Sequence, residues 1–239
     1  MTALPSLVLT AHGSVDPRSS ATTRAMASQI RRLRPGLDVR VAFCEKSAPN
    51  LGDVLAGLSG PAVVTPLLLA SAYHARVDIP AIVAESGAHV LQADTLGEDP
   101  RLVQVLVQRL AELGDRPSGR GNCDTGVLVV AVGSSHAVAN ERTASLAESL
   151  TGHWATVRVA YATGPQPSVA DGIAALLADG ARRIALAPWF IAPGRITDRV
   201  AALAAASGAA MAEPLGAHPL VAATVLDRFD QAIAEQLAA

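Results

Sequence analysis

A chain of 239 residues, half of them apolar but only 3% aromatic, can bury a large core of small aliphatic side chains, which suits parallel strands closely covered by helices. Lys and Arg number 19 against 21 Asp and Glu, so the net charge of −2 provides no global basic field for nucleic acid or an anionic membrane. The two cysteines, Cys44 and Cys123, are too few for a thiolate-held iron–sulfur cluster and point to a reduced compartment.

In chain order, residues 1–14 read as a first strand rather than a signal peptide, and no stretch nears the ~20 apolar residues of a membrane span. The expected location is therefore the cytoplasm. Apolar runs at 7–11, 39–43, 62–69 and 88–92 predict buried strands, and helical spacing marks 20–34, 49–58, 79–86 and 100–113. This alternation predicts an α/β fold in which a parallel sheet is flanked by helices. Residues 115–124, DRPSGRGNCD, have the composition of a linker.

The pattern then repeats. Residues 128–132 followed by Gly133-Ser134 mirror 7–11 and Gly13-Ser14, and RVAYATGPQPSVADGIAAL from Arg158 matches RVAFCEKSAPNLGDVLAGL from Arg40. APWFIAPGRITDRV from Ala187 parallels TPLLLASAYHARVDIP from Thr65, and SGAAMAEPLGAHPLV parallels SGAHVLQADTLGEDPRL. The chain is expected to be a tandem duplication, with domains at 1–114 and 125–239, each near the usual domain size.

Ligands of open parallel sheets bind beyond the carboxyl ends of the strands. In the first half those positions hold His12, Glu45 and the segment with His74, a donor set that suits a first-row divalent metal. Each alone is more often a packing or solvated residue. The second half places Val132 where the first has His12 and Thr163 where it has Glu45, and the His74 segment becomes one residue shorter, without histidine. A scaffold role would predict that all three persist in both copies, so their loss from one argues for chemistry confined to the N-terminal half. His136 lies near the equivalent loop but out of register and is read as a surface or wall residue.

The HGS after the first strand, the Glu and following Pro after the second, and the PLLLASAYHARVDIP segment resemble the class II tetrapyrrole chelatases, more closely the two-domain sirohydrochlorin chelatases of the CbiX/SirB type. The resemblance covers the whole chain and is most specific at His74–Pro80. Ala72 departs from the Gly usual in the family and Leu68 from the common Phe, which bears on ligand fit more than on metal ligation. It implies a flavodoxin-like topology in each half and a cleft between the two sheets. It further implies that His12, Glu45 and His74 bind the incoming metal or take the pyrrole protons.

The implied substrates are sirohydrochlorin and a divalent metal, Fe2+ first and Co2+ second, with no tightly bound cofactor. The macrocycle's carboxylates would be met by Arg18, Arg24, Arg76 and Arg195, with Ser14 as donor or helix cap. The plain helix expected at 220–237, without a His-rich or Cys-bearing tail, favours iron and siroheme over cobalt and cobalamin; nickel is a third option. The duplication suggests a monomer. A non-catalytic tetrapyrrole or metal carrier is the rival of another class, and an ester hydrolase is disfavoured because no G-x-S-x-G occurs.

Overall fold

The structure, a computed structural model, describes residues 4–71, 74–88, 90–114, 124–151, 153–154 and 156–238, with His74 described in its main chain only. It consists of two compact units, Met1–Gly97 with Ala217–Ala239, and Glu98–Gly216.

The first unit contains β1 (Ser6–Ala11), α1 (Pro17–Leu33), β2 (Val39–Phe43), α2 (Leu51–Ala56) and β3 (Ala62–Pro66). A π-helical turn at His74–Asp78 then runs into α3 (Ile79–Ser86), followed by β4 (Val90–Gln92). The second unit contains α4 (Pro100–Glu112), β5 (Thr125–Ala131), α5 (Ala137–Ala144), α6 (Leu146–Thr151) and β6 (Thr156–Tyr161). It continues with α7 (Val169–Ala178), β7 (Arg183–Pro188), α8 (Arg195–Ala206) and β8 (Ala210–Met211). The last helix, α9 (Pro219–Ala238), returns to the first unit.

Each sheet is wholly parallel, ordered β2-β1-β3-β4 in one unit and β6-β5-β7-β8 in the other. The expected α/β fold, with helices flanking a parallel sheet in each copy, is thus what forms. The physical reason is visible in the strands. In β1, residues after Ser6 are buried without alternation, so both faces of the sheet are covered. Val8, Ala42 and Val64 pack on Leu51 and Leu55 of α2 and Ile79 of α3, while α1 and α9 approach the same sheet elsewhere. In the second unit, Leu128, Val130 and Leu186 pack on Ile173 and Leu176 of α7 and Val200 of α8.

The helices at the two repeat ends are exchanged relative to the sequence halves. α4, the last helix of the first repeat, packs on β7 and α6. α9, the last of the second repeat, packs on α1, β3 and β4. Phe229 of α9 is fully buried, Arg34 at the end of α1 makes a two-pronged bond to Asp230 with both oxygens at 2.6 Å, and Arg228 donates to the carbonyls of Thr95 and Leu96. The compact units divide at residues 97–98 and 216–217, whereas the expected domains divide at the linker 115–124. Residues 115–123 of that linker lie outside the described residues.

Among the described residues, no helix is long and apolar enough to cross a membrane.

Candidate functional site

The first unit's site is assembled by a close crossing of two loops. β1 ends at Ala11 and β2 at Phe43, and hydrogen bonding continues past both strands: the Cys44 N–H donates to the Ala11 carbonyl at 3.0 Å and the Glu45 N–H to the His12 carbonyl at 2.9 Å. Gly13 makes the crossing possible. It sits at φ +95°, and a Cβ there would lie 1.8 Å from the Glu45 carbonyl oxygen. The loops thus pass at a distance only glycine permits, which places the two side chains on either side of it together. His12 Nε2 lies 3.1 Å from Glu45 Oε1, with both side chains partly exposed, at 34% and 44%. Lys46, in the left-handed region at φ 57°, brings its ammonium onto the same Glu45 oxygen.

The surrounding turn is held by its own backbone and hydroxyls. The Ser47 hydroxyl accepts from the Ser14 N–H at 3.1 Å and donates to the Ser14 carbonyl at 2.9 Å. The Ser14 hydroxyl accepts from the Asp16 N–H at 3.0 Å, while the cap of α1 is Asp16, whose carboxylate accepts from the Arg18 N–H. Ser14 therefore closes a turn before the helix rather than capping it, a correction to the capping reading.

His74 opens the π-helical turn that leads into α3. Pro80, in the first turn of α3, has no N–H to give to the carbonyl of Arg76 four residues back, which favours the wider turn there. Such turns are frequent at functional sites. Among the described residues, no group of three His, Cys, Asp or Glu side chains is arranged to hold a metal ion, and the His74 side chain is not among those described. His12 and Glu45 are thus the part of the expected triad that the structure brings together. Cys44, next to Glu45, has its thiol pushed up to about 11 by burial, then by the carboxylates of Asp78 and Glu45, so at neutral pH it is a protonated packing group and not a thiolate ligand.

Three of the four expected arginines are engaged within the first unit. Arg18 forms a fork with Asp16, Nη2 to Oδ2 at 2.6 Å. Arg24 donates to the Ala48 carbonyl and the Ser20 hydroxyl, each at 2.9 Å, with its guanidinium carbon 5.7 Å from the centre of the Phe43 ring. Arg76 donates to the Ser71 hydroxyl at 3.2 Å. Arg195 is exposed at the first position of α8. Lys46 and Ser47, which touch Glu45 and clamp Ser14, were not singled out in the sequence; their one signal is adjacency to Glu45.

The second unit reproduces the frame without the pair. The Thr163 N–H donates to the Val132 carbonyl at 3.0 Å and the Ala162 N–H to the Ala131 carbonyl at 2.8 Å, the same bonds made by Glu45 and Cys44. Gly133, at φ +92°, passes so near Gly164 that a Cβ would lie 1.6 Å from its carbonyl oxygen. Val132 and Thr163 therefore stand at the positions of His12 and Glu45. Counted back from the buried pair Ile79 and Val200, Arg195 takes the first helical position that His74 holds in the other unit. His136 is the exposed residue preceding α5.

Comparison with known proteins agrees with the repeats. A family model described as CbiX matches residues 6–113 and again 126–232. A sirohydrochlorin cobaltochelatase of Methanosarcina barkeri is 32% identical over 117 residues, covering 42% of this chain and 90% of the relative. A sirohydrochlorin ferrochelatase of Priestia megaterium is 27% identical over 187 residues, covering 72% of this chain and 68% of the relative. The structure of SirB from Bacillus subtilis with Fe3+ has the same fold, with a TM-score of 0.82 over 98% of this chain and 97% of that one at 18% identity. With both of its halves matched by one family model, this chain belongs to the CbiX family.

Proposed function

We propose that the protein is a chelatase that inserts a divalent metal into sirohydrochlorin, with Fe2+ as the metal and Co2+ as the alternative. Family membership and the names of its chelatase relatives support the activity. The observation that carries the site is the His12–Glu45 pair, built at a glycine crossing in one unit and replaced by Val132 and Thr163 at the same crossing in the other.

Insertion exchanges one divalent ion for two protons on the macrocycle's pyrrole nitrogens. In the proposed mechanism His12 Nε2 and Glu45 Oε1, 3.1 Å apart and both partly exposed, hold the ion between them and release it to the ring. As protons leave the ring, the imidazole and the adjacent carboxylate are the bases within reach. His74 is proposed as the third group, from the π-helical turn. Cys44 takes no part, being protonated.

For the macrocycle's carboxylates, Arg195 is the first candidate, followed by Arg76, which would give up only its 3.2 Å bond to Ser71. Arg18 and Arg24 would have to exchange existing partners, and Ser14 its turn bond. We further propose a cytoplasmic monomer that acts without a tightly bound cofactor, nucleic acid or membrane.

The test is anaerobic: protein, sirohydrochlorin and either Fe2+ or Co2+ are mixed and the macrocycle's absorbance followed. The expected result is metallation faster than in buffer, with Fe2+ giving the higher kcat/KM. A rate equal to buffer with both metals overturns the chelatase reading, and a carrier would bind the macrocycle without this acceleration. Normal turnover by His12→Ala overturns the site and leaves the activity standing.

A further inference from the structure

The second unit contains a cleft where the first holds the Arg24 side chain. Two observations fix the correspondence. Thr23 on α1 and Thr143 on α5 are both buried and each donates its hydroxyl to the carbonyl four residues back, at 3.1 and 3.0 Å, so Ala144 follows Thr143 as Arg24 follows Thr23. Beyond the strands, the Phe43 N–H donates to the Pro49 carbonyl at 3.0 Å and the Tyr161 N–H to the Pro167 carbonyl at 2.9 Å. Tyr161 therefore stands for Phe43, and Gln166, before Pro167, for Ala48.

In the first unit the guanidinium of Arg24 lies over the Phe43 ring and donates to the Ala48 carbonyl and the Ser20 hydroxyl. In the second, with alanine at the arginine's position, a cleft of about 710 Å³ is lined by Asn140, Glu141, Ala144, Tyr161, Thr163 and Gln166. These are the counterparts of the guanidinium's surroundings: an aromatic ring beneath, a polar side chain one helical turn back (Ser20 in the first unit, Asn140 in the second), and the residue before the proline. Tyr161 is held rigidly, being 7% exposed with its hydroxyl donating to the Asn140 carbonyl at 2.9 Å. The Asn140 side chain is fixed by two bonds to Ser134, at 2.9 and 2.7 Å. Among the described residues no Lys or Arg lines the cleft, and Glu141 adds a carboxylate. The wall is thus aromatic and acidic, which favours a flat cation over an anion.

We propose that this cleft is a binding site for a guanidinium group, carried either by a small guanidine or by an arginine side chain of another molecule. It takes from outside the group that the first unit supplies from its own helix. The proposal is independent of the chelatase reading, since the cleft lies in the unit without the His12–Glu45 pair.

The experiment titrates N-propylguanidinium chloride into the full chain at constant ionic strength, reading calorimetric heat and the amide shifts of Tyr161 and Gln166. Propylammonium serves as the point-charge comparator and a Gly-Arg-Gly peptide as the side-chain source. Saturable binding is expected, with N-propylguanidinium about tenfold tighter than propylammonium because only the planar cation can stack and fork. Ala144→Arg, which places a guanidinium in the cleft, should weaken binding by at least about tenfold and raise the thermal midpoint, and Glu141→Gln should weaken it with the fold intact. A peptide that binds more tightly than the small guanidine points to a protein source, and the reverse to a metabolite. The proposal is overturned by the absence of saturable binding, by equal affinity for the ammonium, or by Glu141→Gln and a folded Ala144→Arg both binding as the parent does.

Discussion

Replacing Gly13 by alanine tests whether the loop crossing positions the site. Two costs are expected. The first is backbone strain, because φ +95° is a region L residues adopt at about 1–2 kcal/mol. The second is the clash. A Cβ 1.8 Å from the Glu45 carbonyl oxygen must be relieved by moving main chain, since no flexible side chain stands in the way. That movement breaks the 2.9 Å bond from the Glu45 N–H to the His12 carbonyl, worth about 1 kcal/mol net. Together these put the destabilisation at roughly 2–3 kcal/mol, within the range a domain survives.

Gly36→Ala is the control, with φ +87° and no atom within 4 Å of its Cβ, so it should lose only the strain of about 1–2 kcal/mol. Gly133→Ala suffers the same clash in the other unit and should match Gly13→Ala in stability. Activity should separate the two. A misplacement of about 1 Å at Glu45 is expected to cost roughly 100-fold in metallation rate per folded molecule, whereas Gly133→Ala should stay near the parent. Urea unfolding and the anaerobic absorbance assay read the two effects. The reasoning fails if Gly13→Ala loses no more stability than Gly36→Ala, or if Gly133→Ala is as inactive as Gly13→Ala.

The remaining predictions rest on the site, a thiol and the exchanged helices. Glu45→Gln and His12→Ala should each lower kcat by about 100-fold or more, whereas Thr163→Ala and Val132→Ala stay within about threefold; equal losses in both units would remove the asymmetry argument. Cys44 has a folded-state value of about 11 against an ordinary 9.0, so its contribution is fully present below pH 9 and is lost as the pH rises toward 11, where the unfolded chain ionises first. Stability of the parent should therefore fall more steeply over that window than that of Cys44→Ala, and rapid alkylation of the native thiol at pH 8 would contradict its burial. Ending the chain before α9 should strip amide-exchange protection from β1–β4 but leave the emission of Trp154 and Trp189, both in the second unit, native-like. If that truncation instead alters tryptophan emission and leaves β1 protected, the helix exchange is wrong.

Strand and helix positions were legible because β1, β2 and their copies carry continuous apolar runs between amphipathic stretches, and the repeat fixed their correspondence residue by residue. Val132 and Thr163 could be matched to His12 and Glu45 from sequence because the glycines between the loops persist. The exchange of α4 and α9 was not legible. An amphipathic face states that a helix must be covered, not which of two similar sheets covers it. The role of Arg24 was also hidden, since a helix-borne arginine reads the same whether it meets a substrate carboxylate or folds onto Phe43. The π-helical turn at His74 depends on a hydrogen bond that Pro80 cannot make, a local effect that spacing alone does not reveal. Lys46 reaches Glu45 through a left-handed backbone at a non-glycine residue, which composition gives no reason to expect.

The exchanged helices set the order in which the molecule can be completed as it is synthesised. The second unit is one unbroken stretch, Glu98–Gly216, and all its parts have been made before the last helix begins. The first unit, whose sheet is translated before the second unit and carries the His12–Glu45 pair, lacks α9 until residues 219–238 have left the ribosome. The unit without the pair can therefore finish folding first, and the unit that carries it is closed afterwards. A nascent chain thus holds His12 and Glu45 in an unfinished unit until α9 has been made.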